Sequence, residues 1–187
     1  IVSLGYATEK IRAVGSPRFD RYRRIKAPVA HAPFTILCVA PEIRQHPIYD
    51  SYSAADYFTS IAAAVKRLER VQVIIKVRPE RAGRALSRSI INSAFSNPTN
   101  VVVRSSSLAE LLTRVDVVVS GYSTAILEAL QCGLPVIILA FSPVEALMVD
   151  FHFARYRDAG AVIIAYTAQE LADALSELAT HPERRNT

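Results

Sequence analysis

From residue 34 onward, short apolar runs alternate with segments whose apolar residues recur every three to four positions. The apolar runs predict six strands: Phe34 to Ala40, Val71 to Val77, Asn100 to Arg104, the two strands within Val115 to Leu139, and Ala161 to Ala165. The periodic segments predict helices at Ala54 to Arg70, Arg81 to Phe95, Leu108 to Arg114, after Ser123 or Thr124, and from Thr167 to about Ala179. Strands that are apolar along their length, each followed by a helix, are typical of a parallel sheet covered on both faces. We therefore predict an α/β fold with a doubly wound, Rossmann-like parallel sheet.

The first 33 residues lack this alternation. Ser16 and Pro17 predict a turn that leads into a helix start, and the proline-punctuated run from Lys26 to Pro33 predicts an extended linker. We therefore divide the chain into residues 1–33, a linker and remnant of a preceding domain, and residues 34–187, one α/β domain. Within that domain, Phe141 to Tyr156 has no clear period and is predicted to be a variable stretch.

The segment from Val115 to Leu139 predicts a strand, a turn of small residues, a short helix ended by Gly133, and a second strand. Ligands of doubly wound sheets bind at the carboxyl ends of the strands. The turn, Ser120-Gly-Tyr-Ser-Thr124, would expose backbone N–H groups at the start of a helix, an arrangement that suits phosphate. Gly121 permits close backbone approach or a positive φ. The alternative is an ordinary turn followed by a capped helix, and the turn is neither a Walker nor a GxGxxG motif.

Three charged residues are further candidates at the same edge of the sheet. Glu128 lies one helical turn beyond Thr124, where a carboxylate could accept hydrogen bonds from two ribose hydroxyls. Arg78 follows a buried strand and could clamp an anion with both arms of its guanidinium. Arg44 lies in the loop after the first strand and could also reach phosphate. The alternatives are a solvent-facing charge for Glu128, a pair with Glu80 for Arg78, and a surface loop for Arg44.

The composition of the chain limits the ligands and partners that we expect it to bind. The 187-residue chain has a formal net charge of +5 and is 51% hydrophobic, which predicts a globular domain for anionic ligands such as nucleotides, sugar phosphates or a membrane surface. The basic residues are scattered and no aromatic–basic motif occurs, so no nucleic-acid partner is predicted. Two cysteines without CxxC spacing and four histidines without a ligand-like pair predict no metal site. No apolar stretch approaches the roughly 20 residues of a membrane span, so we expect a cytoplasmic protein, with peripheral attachment to the inner face of the membrane allowed by its charge.

Four segments carry motifs that occur together in one known family. The segment Lys10–Asp20 is similar to the motif Val-Thr-Gly-x-Pro-Arg-x-Asp. The segment Val39–Arg44 is similar to Ala-Pro-Thr-x-Arg, and the segment Lys76–Pro79 is similar to Lys-x-His-Pro. Leu111 to Leu139 is similar to a helix, a strand, a Tyr-Ser-Ser turn and a helix that ends in Gly-x-Pro-Val. With these motifs the chain resembles the C-terminal nucleotide-binding half of GT-B-fold glycosyltransferases, near the CDP-glycerol glycerophosphotransferases.

The departures from that branch concern the site. Arg78 stands where the glycerophosphotransferases carry His, Gly121 where they carry Asp, and Thr124 where they carry a second Ser. Glu128 stands where they often have Asp, and a Glu there is what many sugar-transferring GT-B enzymes use on the nucleotide ribose. The resemblance therefore favours a nucleotide-sugar donor over CDP-glycerol.

The resemblance also implies a divided enzyme. In a GT-B enzyme the N-terminal domain binds the acceptor and usually contributes the catalytic base. The linker motif lies at the very start of this chain, so we expect that domain to be missing, the catalytic residue to stay unassigned, and the chain to bind donor without catalysing transfer. The linker residues Ser16 and Arg18 would close on the donor phosphates.

The sequence thus predicts the donor-binding domain of a glycosyltransferase of surface polysaccharide biosynthesis, with a nucleotide-sugar as substrate and no cofactor. Glu128 would bind ribose, and the donor nucleotide and phosphates would contact Gly121, Tyr122, Ser123, Thr124, Arg78, Arg44, Ser16 and Arg18. Three alternatives stay open: a nucleotide-sugar 2-epimerase, a CDP-glycerol glycerophosphotransferase domain, and a non-catalytic nucleotide-sugar-binding module.

Overall fold

The structure is a computed structural model that describes residues 12, 15–25, 32–40, 54–77, 89–96 and 100–185. Its strands are β1 (Phe34–Val39), β2 (Val71–Lys76), β3 (Val101–Arg104), β4 (Val117–Ser120), β5 (Val136–Leu139) and β6 (Val162–Ala165). Its helices are α1 (Ala54–Val65), α2 (residues 89–95), α3 (Leu108–Leu112), α4 (Ala125–Gln131), α5 (Pro143–Asp158) and α6 (Ala168–Thr180). Short 3-10 helices span Pro17–Phe19, Tyr22–Arg24 and Pro182–Arg185.

The six strands form one parallel sheet in the order β3-β2-β1-β4-β5-β6. The chain runs outward from β1 to β3, then returns to the other side of β1 and continues outward from β4 to β6. The strand order therefore reverses between β1 and β4. This confirms the predicted doubly wound sheet and places its topological switch point at the carboxyl ends of these two strands.

Both faces of the sheet are covered, as its apolar strands require. Alternate residues of β4 pack against the helices on opposite faces of the sheet. Val117 and Val119 belong to the cluster that includes α1, α2 and α6, and Val118 belongs to the cluster of α3, α4 and α5. Since successive side chains of a strand point to opposite faces, the strands β1, β2, β4, β5 and β6 each contribute to both clusters, whereas the edge strand β3 contributes only to the first. Among the described residues, no helix is long and apolar enough to cross a membrane.

Helix α1 is shorter than predicted. It ends at Val65, although the apolar period continues to Leu68. Hydrogen bonds from Arg67 N to Ala64 O and from Leu68 N to Val65 O tighten its last turn to the i+3 pattern. Arg70 then adopts φ 51, which redirects the chain into β2. The helical pattern thus extends past the point where the backbone turns.

The prediction of a variable stretch from Phe141 to Tyr156 is wrong. The structure places α5 there, with Pro143 in its first turn. Ser142 accepts a hydrogen bond from the Glu145 backbone at 3.2 Å, and the Glu145 carboxylate accepts one from the Ser142 backbone at 3.2 Å. This reciprocal capping box is visible in the sequence. The apolar period that normally reveals a helix is obscured, because apolar side chains of α5 also point to solvent.

Part of the chain before β1 packs against the core. Tyr22 is only 1% exposed and belongs to the α3–α4–α5 cluster, and Phe19 and Ile25 pack against the same cluster. The segment of residues 15–25 is therefore docked on α4. Of the run from Lys26 to Pro33, predicted to be an extended linker, residues 26–31 lie outside the described residues.

At the opposite edge of the sheet, the last 3-10 helix is fixed by a buried ion pair. The Asp116 carboxylate accepts from Arg185 Nη1 at 2.9 Å and from the Thr35 backbone at 2.8 Å. Arg185 also donates to the carbonyl groups of Leu178 and Ala179, at 2.7 and 3.0 Å. The carboxylate is therefore satisfied from both sides and connects the starts of β1 and β4 to the end of the chain.

Candidate functional site

The site lies where the strand order reverses, at the carboxyl ends of β1 and β4. The Tyr57 hydroxyl of α1 lies between these ends, 3.0 Å from the Val39 carbonyl oxygen and 3.3 Å from that of Val119. At the end of β4, Ser120 is 1% exposed, and its Oγ has no hydrogen-bond partner among the residues that the structure describes. No local pattern in the sequence indicates the two Tyr57 contacts, because both depend on strand order.

The turn after β4 joins the sheet to α4. Ser123 Oγ accepts from the Ala125 backbone at 3.2 Å, whereas the Thr124 side chain makes no capping hydrogen bond. A Cβ added at Gly121 would meet nothing within 4 Å, and the φ of Gly121 is not positive. The glycine therefore leaves open space beside the turn and does not serve a left-handed backbone conformation.

Two of the predicted residues meet directly at this turn. Glu128 Oε1 accepts from Arg18 Nη2 at 2.7 Å and from Arg18 Nε at 3.0 Å. Arg18 Nη2 also lies 3.4 Å from Thr124 Oγ1. The pair is asymmetric, since the Glu128 side chain is 4% exposed and the Arg18 side chain 57%. One turn of α4 thus separates the two oxygen atoms that Arg18 contacts, which is the spacing that the sequence predicts.

Below this ion pair, Tyr22 and Cys132 close the site from the protein interior. Burial raises the pKa of Tyr22, the hydrogen bond from Arg21 lowers it, and the hydrogen bond with Glu128 raises it. Cys132 Sγ lies 3.4 Å from the Glu128 carbonyl oxygen and 3.7 Å from that of Tyr22. Burial, with the charge of Glu128 as a second cause, raises the pKa of Cys132 to about 11. Glu128 therefore lies between an exposed guanidinium and a buried layer that presents a hydroxyl and a thiol.

The remaining predicted residues have different positions. Ser16 is exposed and precedes the Pro17–Phe19 helix, in the segment that carries Arg18. Tyr122 is 42% exposed and its ring faces α5, with ring centroids 5.4 Å from His152 and 6.1 Å from Phe153. Arg44 and Arg78 lie outside the described residues. The structure therefore brings Arg18, Thr124 and Glu128 into contact, and the ligand roles of all these residues stay predictions.

Within the described ranges, no group of three or more His, Cys, Asp or Glu residues could hold a metal ion. The site's chemistry, as far as those residues show it, is that of a cation, two hydroxyls and a buried carboxylate. The cation and the hydroxyls can bind an anion and stabilise negative charge.

A family model described as "Putative glycosyltransferase (DUF6716)" matches residues 55–162. No curated protein matches the chain in sequence. Among solved structures, the UDP-GlcNAc 2-epimerase from Neisseria meningitidis bound to UDP-GlcNAc has a TM-score of 0.60 at 17% identity, over 83% of this chain and 38% of that one.

Two other solved structures have a similar fold. MurG from Acinetobacter baumannii has a TM-score of 0.53 at 18% identity, over 88% of this chain and 45% of that one. Sucrose-phosphate synthase from Thermosynechococcus elongatus has a TM-score of 0.56 at 16% identity, over 87% of this chain and 42% of that one. The chain thus spans less than half the length of each of these proteins. The matches confirm the predicted fold, the C-terminal half of a GT-B fold.

Proposed function

We propose that this chain, which belongs to the family described as "Putative glycosyltransferase (DUF6716)", is the domain of a glycosyltransferase that binds the nucleotide-sugar donor. The observation that carries the proposal is the contact of Arg18 with Thr124 and Glu128 at the switch point of the sheet. Open α/β sheets bind ligands at such a point. The donor would therefore lie at the carboxyl ends of β1 and β4.

A cation beside hydroxyl groups suits the chemistry of donor cleavage. When the sugar leaves, negative charge grows on the nucleoside diphosphate. Arg18, with the hydroxyls of Ser123 and Thr124, would stabilise that charge electrostatically, without a proton transfer. The half-exposed position of Arg18 leaves its guanidinium accessible to such a ligand. We expect no cofactor beyond the donor itself.

The neighbours support this class of ligand. One of them is named for UDP-GlcNAc and was solved with it bound. Because the chain spans 38–45% of the length of the three neighbours, we propose that a second domain binds the acceptor and supplies the catalytic base. We further propose that the complete enzyme acts in surface polysaccharide biosynthesis, at the inner face of the membrane.

A screen of nucleotide-activated compounds tests the proposal. The melting temperature of the 187-residue chain would be measured with UDP-, CDP- and GDP-linked sugars, a CMP-linked sugar, and CDP-glycerol. We expect one class of sugar donor to raise the melting temperature, because a ligand that binds only the folded state stabilises it. Calorimetry would then give its affinity. No shift with any of the donors would contradict the proposal, and a shift with CDP-glycerol only would identify a glycerophosphotransferase domain.

The same fold also occurs in a 2-epimerase, so the reaction needs its own test. The chain would be joined to the proposed second domain and incubated with the donor that the screen selects. Release of nucleoside diphosphate with transfer of the sugar to an acceptor would support a glycosyltransferase. Recovery of the donor's 2-epimer would identify an epimerase, and binding without turnover would identify a non-catalytic module.

A further inference from the structure

The contact between Arg18 and Glu128 uses only part of each group. Both Nε and Nη2 of Arg18 donate to the same oxygen, Oε1 of Glu128. Nη2 also reaches Thr124, whereas Nη1 has no hydrogen-bond partner among the residues that the structure describes. The guanidinium is thus held along one side, and its remaining donors are available on a side chain that is 57% exposed.

The carboxylate has the opposite character. Glu128 is only 3% exposed as a residue, because Arg18 covers it from outside and Tyr22 lies beneath it. A pair of ribose hydroxyls could reach Glu128 only after Arg18 had left. That exchange would replace the charged donor Arg18 with neutral hydroxyl donors. Because hydrogen bonds between charged partners are stronger, the exchange would be unfavourable for the buried carboxylate.

We infer that Glu128 is a positioning residue, which orients Arg18 toward the diphosphate of the donor and does not contact the ribose. This inference rests on the proposed function and assigns different work to the two partners. Arg18 binds the ligand through its free N–H groups. Glu128 fixes the side chain of Arg18 before the ligand arrives, so less conformational entropy is lost on binding.

The segment that carries Arg18 fits this role. Pro17 lies in the first turn of its short helix, and Tyr22 anchors the same segment in the core four residues later. The backbone on both sides of Arg18 is therefore fixed, and Glu128 fixes the side chain. A loosely attached arginine would need neither the anchor nor a buried partner.

Calorimetry with two sets of probes tests the inference. UDP, CDP and GDP carry the diphosphate, and uridine, cytidine and guanosine carry the ribose without it. For the base that wild type binds, we expect Arg18→Ala and Glu128→Gln each to weaken diphosphate binding about tenfold or more, the effect of a lost charged hydrogen bond. Both variants should bind the nucleoside as wild type does. Arg23→Ala is the matched control, because Arg23 is an exposed arginine of the same segment.

The double variant separates a positioning role from an independent contact. If Glu128 acts through Arg18, the variant with both substitutions should bind the diphosphate as weakly as Arg18→Ala alone. Additive losses would overturn the inference. Arg18→Lys keeps the charge but cannot form the same two-atom contact, so it should fall between wild type and Arg18→Ala. Thermal unfolding of each variant shows that it is folded, and if Glu128→Gln does not fold, Glu128→Asp replaces it.

Two further results would also overturn the inference. An equal loss of nucleoside and diphosphate affinity in Glu128→Gln would show that the carboxylate binds ribose. A gain in nucleoside affinity in Arg18→Ala would show that the arginine blocks it. Either result, obtained with a wild type that binds the diphosphate, leaves the proposed function intact. A wild type that binds none of the three diphosphates would contradict both proposals.

Discussion

Tyr22 anchors the segment that carries Arg18, so its replacement should detach that segment while the sheet stays folded. The side chain is 1% exposed and belongs to the cluster under α4. Its neighbours Phe19 and Ile25 are only partly buried against the same cluster. In Tyr22→Ala the segment would therefore keep weak contacts and lose its main one.

The burial of Tyr22 sets the size of the effect. An aromatic side chain buries about 200 Å², and about 25 cal/mol per Å² gives an upper bound of about 5 kcal/mol. Replacement of core aromatic residues by alanine costs about 3–5 kcal/mol. Tyr22→Phe keeps the ring and loses only the hydroxyl, which contacts Arg21 at 2.7 Å. We expect it to cost about 1 kcal/mol, the value of an ordinary hydrogen bond.

Cys132 provides a local readout of this change. Its thiol is buried, has a pKa raised to about 11, and lies 3.7 Å from the Tyr22 carbonyl oxygen. In wild type at pH 8 we expect almost no reaction with a thiol reagent such as DTNB, because the reactive thiolate is scarce and covered. Tyr22→Ala should speed labelling of Cys132 about a hundredfold or more, since each 1.4 kcal/mol is a factor of ten.

Cys38 is the internal control, because it is fully buried in β1 on the sheet itself. It should stay unlabelled in Tyr22→Ala, and mass spectrometry distinguishes the two thiols. Labelling of both at the same rate would indicate global unfolding. A Cys132 that stays as protected in Tyr22→Ala as in Tyr22→Phe would refute the conclusion that Tyr22 docks the segment.

Two further variants test the contributions of a buried ion pair and of a helix cap to the stability of the domain. Arg185→Ala should lower the free energy of unfolding by about 3–5 kcal/mol, because it breaks the buried ion pair with Asp116. Denaturant titration should show part of this loss recovered by adding Asp116→Asn, and no recovery would contradict an ion-pair origin. Ser142→Ala should cost about 1 kcal/mol by removing the side-chain half of the α5 capping box, a loss that thermal unfolding would detect and that Ser142→Thr should largely avoid.

The fold could be predicted because most of its strands are buried on both faces. Such strands are continuous apolar runs, and β1, β2 and β6 lie within one residue of their predicted bounds at each end, while β4 and β5 lie within the predicted segment Val115 to Leu139. Helix α5 could not be found by period, since Leu147 and Phe151 are 71% and 81% exposed and interrupt its polar face. Its capping box was the better signal, because a cap depends on local hydrogen bonds and not on which face is buried.

The site could be predicted only in part. The turn after β4 and Glu128 follow from local spacing on one strand–helix unit. The contact of Glu128 with Arg18 joins residues 110 positions apart, and no local pattern indicates it. Tyr22 was missed for the same reason: a single aromatic residue among charged neighbours has no period that would reveal its burial. Both depend on how the segment before β1 returns to α4.

The ion pair of Asp116 and Arg185 has a practical consequence for binding measurements. It fixes the end of the described chain at the amino ends of β1 and β4, whereas the candidate site follows their carboxyl ends. Four residues of β4 at about 3.3 Å each separate the two edges by about 13 Å. A tether attached after Arg185 would therefore hold the domain to a sensor surface by the edge remote from the donor, with Arg18 facing the solution.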